Sequence, residues 1–196
     1  EMKRYSFRFI IFGLWVTLLF QGCSHLFYQP DSYLYFHPKK LGFSFEEVSF
    51  ESEKEVLLTG WYFPAKKPSK GLIIQFHGNA ENMSSHYLGL VWLVQQGYDY
   101  FTFDYRGYGT SSSIDPDQAA TIQDGAAAVR EAQVVYQKRH AKKPNKVIVI
   151  GQSLGGAIAL RVLSDEHLQK GLSALVIDSS FASYKEVASS MFKKRW

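Results

Sequence analysis

The sequence predicts an α/β fold: a mostly parallel sheet with helices on both faces and an antiparallel hairpin at its N-terminal end. Three observations carry this expectation. From residue 71 onward, short apolar runs alternate with longer segments of helical character, the order that a parallel sheet with crossover helices requires. Before them, 43–50 (FSFEEVSF) and 56–63 (VLLTGWYF) flank the charged turn ESEKE, as the two strands of a hairpin would. Finally, VIVI at 147–150 is apolar on both faces and runs straight into Gly151-Gln152-Ser153-Leu154-Gly155, which places it inside the sheet and not at its edge.

With 196 residues, 46% of them hydrophobic and 20% charged, the chain is long enough for one domain with a core and too apolar for disorder. The net charge is +4, and part of it sits at the N-terminus, where Lys3, Arg4 and Arg8 face only Glu1. No basic run interleaved with aromatics remains in the body, so nucleic acid is not an expected partner. Lys193-Lys194-Arg195 reads as a solvated helix end.

Residues 2–8 (MKRYSFR) are basic, 9–20 (FIIFGLWVTLLF) are apolar or small, and Gln21-Gly22-Cys23 follow, which is the three-part plan of an export signal. An apolar stretch of about 18 Å falls short of a hydrocarbon core of ~30 Å, which disfavours a spanning helix. The segment resembles a bacterial lipoprotein signal in which Cys23 is lipidated after cleavage, although Phe20 stands where leucine is usual and Leu19 lies one earlier. The alternatives are an ordinary secretory signal and an uncleaved anchor. All three put the body outside the cytoplasm or against a membrane, so the expected location is the bacterial cell envelope, on its periplasmic or outer-membrane side. Cys23 is the one cysteine, and no intrachain disulfide can form. The expected organisation is a signal at 1–22, an aromatic linker with two prolines at 23–40, and the folded domain at 41–196.

Within the domain, GLIIQF at 71–76 is a short strand. Residues 83–96 are expected to form a helix that turns Leu88, Val91, Trp92 and Val94 to the core. YDYFTF at 98–103 is the next strand. Asp115-Pro116 is a helix start, an N-cap followed by proline at the first helical position, and the helix runs to about 139. Residues 146–150 are a strand, 153–163 a helix, LSALVI at 172–177 a strand, and 183–195 a helix.

Gly151-Gln152-Ser153-Leu154-Gly155 matches G-x-S-x-G. Alone the pattern is weak, but its mechanics need a strand before it and a helix after it, and both are expected here. A serine at the tip of so sharp a turn is held in a strained conformation, and its neighbours must be small. Gly151 and Gly155 remove Cβ atoms that would clash, while Gly156 and Ala157 let the helix pack close. The Ser153 hydroxyl would then project from the C-terminal edge of the sheet above a helix N-terminus that favours negative charge. A rival reading takes Gly151, Ser153 and Gly156 as a dinucleotide fingerprint, with Asp178 as the ribose-binding acid at the end of the next strand. Serine in place of the middle glycine, and two strand–helix units preceding the motif, count against it.

A second motif favours acyl transfer, which needs two backbone N–H donors aimed at the developing oxyanion. One would be that of Leu154. The other would come from the loop after strand 71–76, where Phe76-His77-Gly78-Asn79-Ala80 stands, its donor being the N–H of Asn79. Together with LTGWYFPA at 58–65, QFHGNAENMSSH at 75–86, FDYRGYGTSS at 103–112, GQSLGGAIAL at 151–160 and IDSSFAS at 177–183, these residues resemble the α/β-hydrolase superfamily, in particular the branch of membrane-associated serine hydrolases grouped with serine aminopeptidase-like proteins. The resemblance covers about 58–183. It implies a serine hydrolase that cleaves an ester, thioester or amide through an acyl-enzyme on Ser153, without a cofactor or metal, acting on a small-molecule or acyl substrate. Asp104, Arg106 and Gly107 are read as a turn held by an Asp–Arg pair.

The same resemblance requires an acid and then a histidine after the serine. His167, after Ser153, and His140, before strand 146–150, belong to the opposite end of the strands. His86 lies in a helix, His77 in the oxyanion loop, and His25 and His37 in the linker. Asp178 ends the strand after the motif, where some relatives carry the triad acid. The expectation is therefore a hydrolase truncated at its C-terminal side, whose last two strands, with acid and histidine, would follow Trp196. Strand 172–177 would then be an uncovered apolar edge. The alternative is a catalytically inactive lipoprotein domain.

Overall fold

The computed structural model describes residues 27–181. The expected signal, Cys23 and the helix expected at 183–195 lie outside the described residues. Within them, six strands form one sheet: β1 (Glu46–Glu53), β2 (Val56–Phe63), β3 (Leu72–Phe76), β4 (Asp99–Phe103), β5 (Val147–Gln152) and β6 (Leu172–Asp178). Their spatial order is β1-β2-β4-β3-β5-β6. β1, β2 and β4 pair antiparallel, whereas β4, β3, β5 and β6 run parallel. The hairpin and the interior position of β5 are as the pattern implied. The hairpin turn is tighter than ESEKE suggests, because β1 continues to Glu53 and the chain reverses through Glu55 at φ 65°.

Strand parity separates two cores. Leu72, Ile74 and Phe76 of β3 and Val147 and Val149 of β5 face one side. There they meet α2 (Gln118–His140) and α3 (Leu154–Val162), whose Ala127, Ala128, Ala132 and Ala159 let both helices lie close to the sheet. Ile73, Tyr100, Trp61, Phe63, Ile148 and Ile150 face the other side, against Met83, Tyr87, Val91 and Val94. Every residue of β3 and β4 is buried, which is why these strands are mostly apolar without a regular alternation, the polar Gln75, Asp99 and Thr102 being buried with the rest.

The single helix expected at 83–96 is not formed. α1 covers only Met83–His86 and gives way to 3-10 turns at Tyr87–Gly89 and Val91–Gln96. The tighter winding turns the faces, so Val91 and Val94 are buried as expected while Leu88 and Trp92 are exposed. α2 starts two residues later than the Asp115-Pro116 signal: Asp117 is its N-cap, accepting from the Ala120 N–H at 2.8 Å. The Asp104–Arg106 pair is absent. Arg106 instead clasps the fully buried Asp124 (Nη2–Oδ1 2.7 Å, Nε–Oδ2 3.0 Å) and reaches Glu53 at 2.6 Å. Two residues apart in a loop, Asp104 and Arg106 turn to different partners, and Arg106 ties the loop to α2 and β1.

Among the described residues β1 and β6 are the two edges of the sheet, and Val176 and Ile177 of β6 are exposed. No helix among the described residues is long and apolar enough to cross a membrane.

Candidate active site

β5 delivers Ser153 to the C-terminal edge of the parallel strands. Its backbone has φ 51° and ψ −117°, a conformation that a residue with a Cβ adopts at a cost of about 1–3 kcal/mol. The neighbours hold it there. The Ser153 N–H donates to the Asp178 carbonyl of β6 at 2.8 Å, and the Ser180 hydroxyl donates to the Ser153 carbonyl at 2.7 Å. Ser153 occupies the N-cap position of α3 yet its hydroxyl makes no capping bond. Leu154 is the first helical residue, so its N–H has no acceptor within the helix and points with the positive end of the helix dipole.

The glycines of the motif are required by close approach. A Cβ on Gly155 would lie 2.1 Å from the Phe76 carbonyl oxygen and 2.4 Å from that of His77. A Cβ on Gly151 would lie 2.6 Å from the Gly156 Cα, and one on Gly156 would lie 2.6 Å from the Ser180 Cβ. The serine turn is thus packed backbone to backbone against the end of β3, and this contact sets the 77–80 loop, with Asn79, beside it.

Loop 77–82 is itself well anchored. His77 is fully buried, with Nδ1 2.8 Å from the Gly78 carbonyl and Nε2 3.3 Å from Asp104 Oδ1, the latter without hydrogen-bond alignment. Asp104 Oδ1 also accepts from the Met83 N–H at 2.7 Å, and a Cβ on Gly109 would strike Asp104 Oδ2. Asp104 therefore joins the loop after β4 to the loop after β3, a role different from the turn-internal pair that its sequence neighbours suggested. Asn79 binds the N-terminal segment through its side chain, donating to the Phe27 carbonyl at 2.7 Å and accepting from the Gln29 N–H at 2.9 Å.

His86 is the residue that sequence position alone undervalued. It stacks on His77 with ring centroids 5.4 Å apart, and its Cε1 lies 3.3 Å from where a Cβ on Gly78 would be. With Gln75, Leu90, Ile150, Gln152 and Asp178 it lines a cleft of about 150 Å³ beside the serine turn. Burial pushes its imidazole below the ordinary value, and repulsion from His77 adds to this. Asp178 is exposed on the rim of the cleft, accepting from the Ser179 hydroxyl at 2.8 Å.

The other histidines lie elsewhere. His140 Nε2 is 3.1 Å from Asp99 Oδ1 at the N-terminal end of β4, where the Tyr62 hydroxyl also donates to Asp99 at 2.6 Å. His167 is exposed in the α3–β6 connection, and His37 caps the 3-10 turn at Pro38–Leu41. His25 lies outside the described residues. No imidazole among the described residues hydrogen-bonds the Ser153 hydroxyl, and none of their His, Cys, Asp and Glu side chains form a group of three or more that could hold a metal ion.

Comparison with known proteins gives this geometry its context. The family model described as serine aminopeptidase, S33, matches residues 67–195. The chain is 35% identical over 189 residues to YfhR of Escherichia coli (strain K12), covering 93% of this chain and 63% of that protein. It is 30% identical over 154 residues to the α/β-hydrolase domain-containing protein WAV2 of Arabidopsis thaliana, covering 77% of this chain and 47% of that one. Among solved structures, the esterase Pf2001 of Pyrococcus furiosus superposes with a TM-score of 0.68 at 26% identity, covering 86% of this chain and 64% of the esterase. The chain spans less than two thirds of the length of these relatives.

Proposed function

We propose, from the premise that the chain belongs to the serine aminopeptidase S33 family of α/β-hydrolases, that it carries the nucleophile and the oxyanion hole of a serine hydrolase cleaving an ester, thioester or amide. The observation that carries this reading is the backbone of Ser153: a non-glycine residue at φ 51° between a buried strand and a helix, packed through Gly155 against the loop after β3. Positive φ alone also occurs in ordinary turns, at Glu55 and at Ala141, where ψ of 21° keeps the residue in the left-handed helical region; Ser153 at ψ −117° lies outside that region, as a nucleophile held clear of the sheet requires.

In the proposed reaction the Ser153 hydroxyl attacks the carbonyl carbon of the substrate. The tetrahedral oxyanion is met by the N–H groups of Leu154 and Asn79, donors already fixed by α3 and the 77–82 loop. Collapse expels the alcohol, thiol or amine, which takes up the proton that the base removed from Ser153, and leaves an acyl group on Ser153; water, giving a proton to the same base, then releases the acid and the base returns that proton to Ser153. Serine needs a proton acceptor for this step, and Asp178 is the carboxylate on this edge that could orient a histidine. The esterase character of the structural neighbour favours an ester among the three bond types. The expected membrane tether at Cys23 and the cell-envelope location belong to the same proposal.

The test is turnover of p-nitrophenyl butyrate by the protein expressed from its native gene, against its Ser153→Ala variant. The expected result is hydrolysis by the wild type that falls by about 10⁴-fold or more in the variant, as for other nucleophile deletions. Equal turnover by both would remove Ser153 from the reaction. No turnover by a folded wild type across ester, thioester and amide probes would favour the non-catalytic reading.

A further inference from the structure

The aromatic segment before β1 is tied down at the candidate site by side chains of the oxyanion loop. Asn79 is bonded on both sides of its amide: Nδ2 donates to the Phe27 carbonyl at 2.7 Å, while Oδ1 accepts from the Gln29 N–H and the Tyr108 hydroxyl, both at 2.9 Å. Three residues on, Asn82 is almost completely buried, and its Nδ2 donates to two carbonyls of the same segment, Asp31 at 2.9 Å and Tyr33 at 2.8 Å. Ser84 then accepts at Oγ from the Tyr35 N–H and at its carbonyl from the Phe36 N–H. From the other flank, the Gly109 N–H donates to the Asp31 carbonyl at 2.9 Å. Over ten residues the segment therefore runs along the oxyanion loop like an extra strand, although it has no strand of its own to pair with.

Accepting the serine hydrolase reading above, we propose that residues 27–36 are a positioning strap for the oxyanion hole, fastened by the side chains of Asn79 and Asn82. Each amide of this loop divides its labour. The Asn79 backbone N–H is left to the oxyanion while the Asn79 side chain, bonded through both its oxygen and its nitrogen to the strap and through its oxygen to Tyr108, fixes where that N–H points. Asn82 Oδ1 caps α1, accepting from the Ser84 N–H at 2.9 Å, while its Nδ2 holds the strap. Asn79 and Asn82 are positioning residues here, because their side chains touch no reacting atom. An oxyanion donor acts only within a few tenths of an ångström of its place, so loosening the strap is felt in the rate and not in binding.

The two jobs of Asn82 can be separated. Asn82→Asp keeps a carboxylate oxygen for the Ser84 N–H, and aspartate caps helices as well as asparagine does. It replaces the donor NH₂ by an acceptor facing the Asp31 and Tyr33 carbonyls, which removes these two ties and leaves those of Asn79, Ser84 and Gly109, and because it also buries a carboxylate, Tyr108→Phe serves as the charge-free control. Tyr108→Phe is the milder companion, removing one donor to Asn79 and no volume from the core. The measurements are kcat and KM for p-nitrophenyl butyrate, per active site titrated with a fluorophosphonate, and hydrogen exchange of the amides of 77–86. The expected result for Asn82→Asp is faster exchange at 77–82 and a fall in kcat of about 10-fold with KM within about twofold. Tyr108→Phe should move both in the same direction by less. Wild-type exchange and wild-type kcat per titrated site in Asn82→Asp would overturn the strap. A variant too unstable to titrate is judged on Tyr108→Phe, where unchanged exchange and kcat have the same meaning. If the wild type neither hydrolyses nor labels, the hydrolase reading fails, and the exchange data alone decide whether the strap holds the loop.

Discussion

Adding one methyl group at position 155 should disable the site and destabilise the fold together. In Gly155→Ala the new Cβ would sit 2.1 Å from the Phe76 carbonyl oxygen and 2.4 Å from the His77 carbonyl oxygen. A relaxed carbon–oxygen contact is about 3.3 Å, so the end of β3 and the start of α3 must separate by roughly 1 Å. Both obstructing atoms are backbone atoms, one at the end of β3 and one at the first residue of the loop after it, and no side chain can rotate to relieve the contact. Overpacking of this kind costs about 1–3 kcal/mol, and the upper end applies here because rigid elements must move. For a domain of this size ~3 kcal/mol corresponds to a fall in Tm of about 6–12 °C. The same 1 Å separates Ser153 and Leu154 from the 77–80 loop, and a misplacement of that size slows a positioned reaction by about 10²-fold. Thermal unfolding followed by circular dichroism gives the first quantity, and the rate of fluorophosphonate labelling at a temperature where the variant is folded gives the second. Wild-type Tm together with a wild-type labelling rate would show that the serine turn and the 77–80 loop are not packed as described.

Arg106→Ala should destabilise the protein by about 3–5 kcal/mol in urea, because it leaves the Asp124 carboxylate buried without its cation; a shift in midpoint near zero would mean that the pair is solvated. The His86 imidazole is held below its ordinary value by burial and by His77, so the folded state disfavours its protonation. That contribution is complete above the ordinary histidine value of about 6.5 and is lost as the pH falls from there toward the lowered folded value. The urea midpoint should therefore drop between pH 7 and pH 5.5, and His86→Gln should flatten that part of the profile; an identical slope in the variant would assign the effect to another group. Leu88→Ala and Trp92→Ala should each change stability by less than about 1 kcal/mol, since both side chains are exposed, whereas Val94→Ala should cost more.

What the sequence made legible follows from where local chemistry is decisive. LIIQF is buried on both faces and VIVI is apolar throughout, although Ile148 and Ile150 are only half-buried, so neither run shows a polar alternation to compete with the parallel-sheet reading, and the glycines around Ser153 announce a turn whose flanks tolerate no Cβ. The 83–96 segment misled because helical spacing fits both an α-helix and a run of 3-10 turns. Trp92 ends up bonded through Nε1 to the Gly89 carbonyl at the surface, a choice made by the packing of Tyr87, Val91 and Val94 on the sheet. Asp117, two residues beyond Asp115, is the cap, because its carboxylate accepts the Ala120 N–H of the first turn. Arg106 with Asp124 is a contact across 18 residues, and the ties of Asn79 and Asn82 to the N-terminal segment span about 50, distances at which no spacing rule speaks. Helical spacing over 83–96 places His86 inside a helix and away from the site. That helix is one turn long and ends beside Gly78 and Gln152, at the very edge from which helix membership seemed to remove it.

The most direct test of the account is to treat the folded protein with a fluorophosphonate and locate the adduct by peptide mass spectrometry. One adduct is expected, on the peptide containing Ser153, abolished in Ser153→Ala and slowed in Gly155→Ala. A folded protein that stays unmodified, or an adduct on another serine that persists in Ser153→Ala, would contradict it.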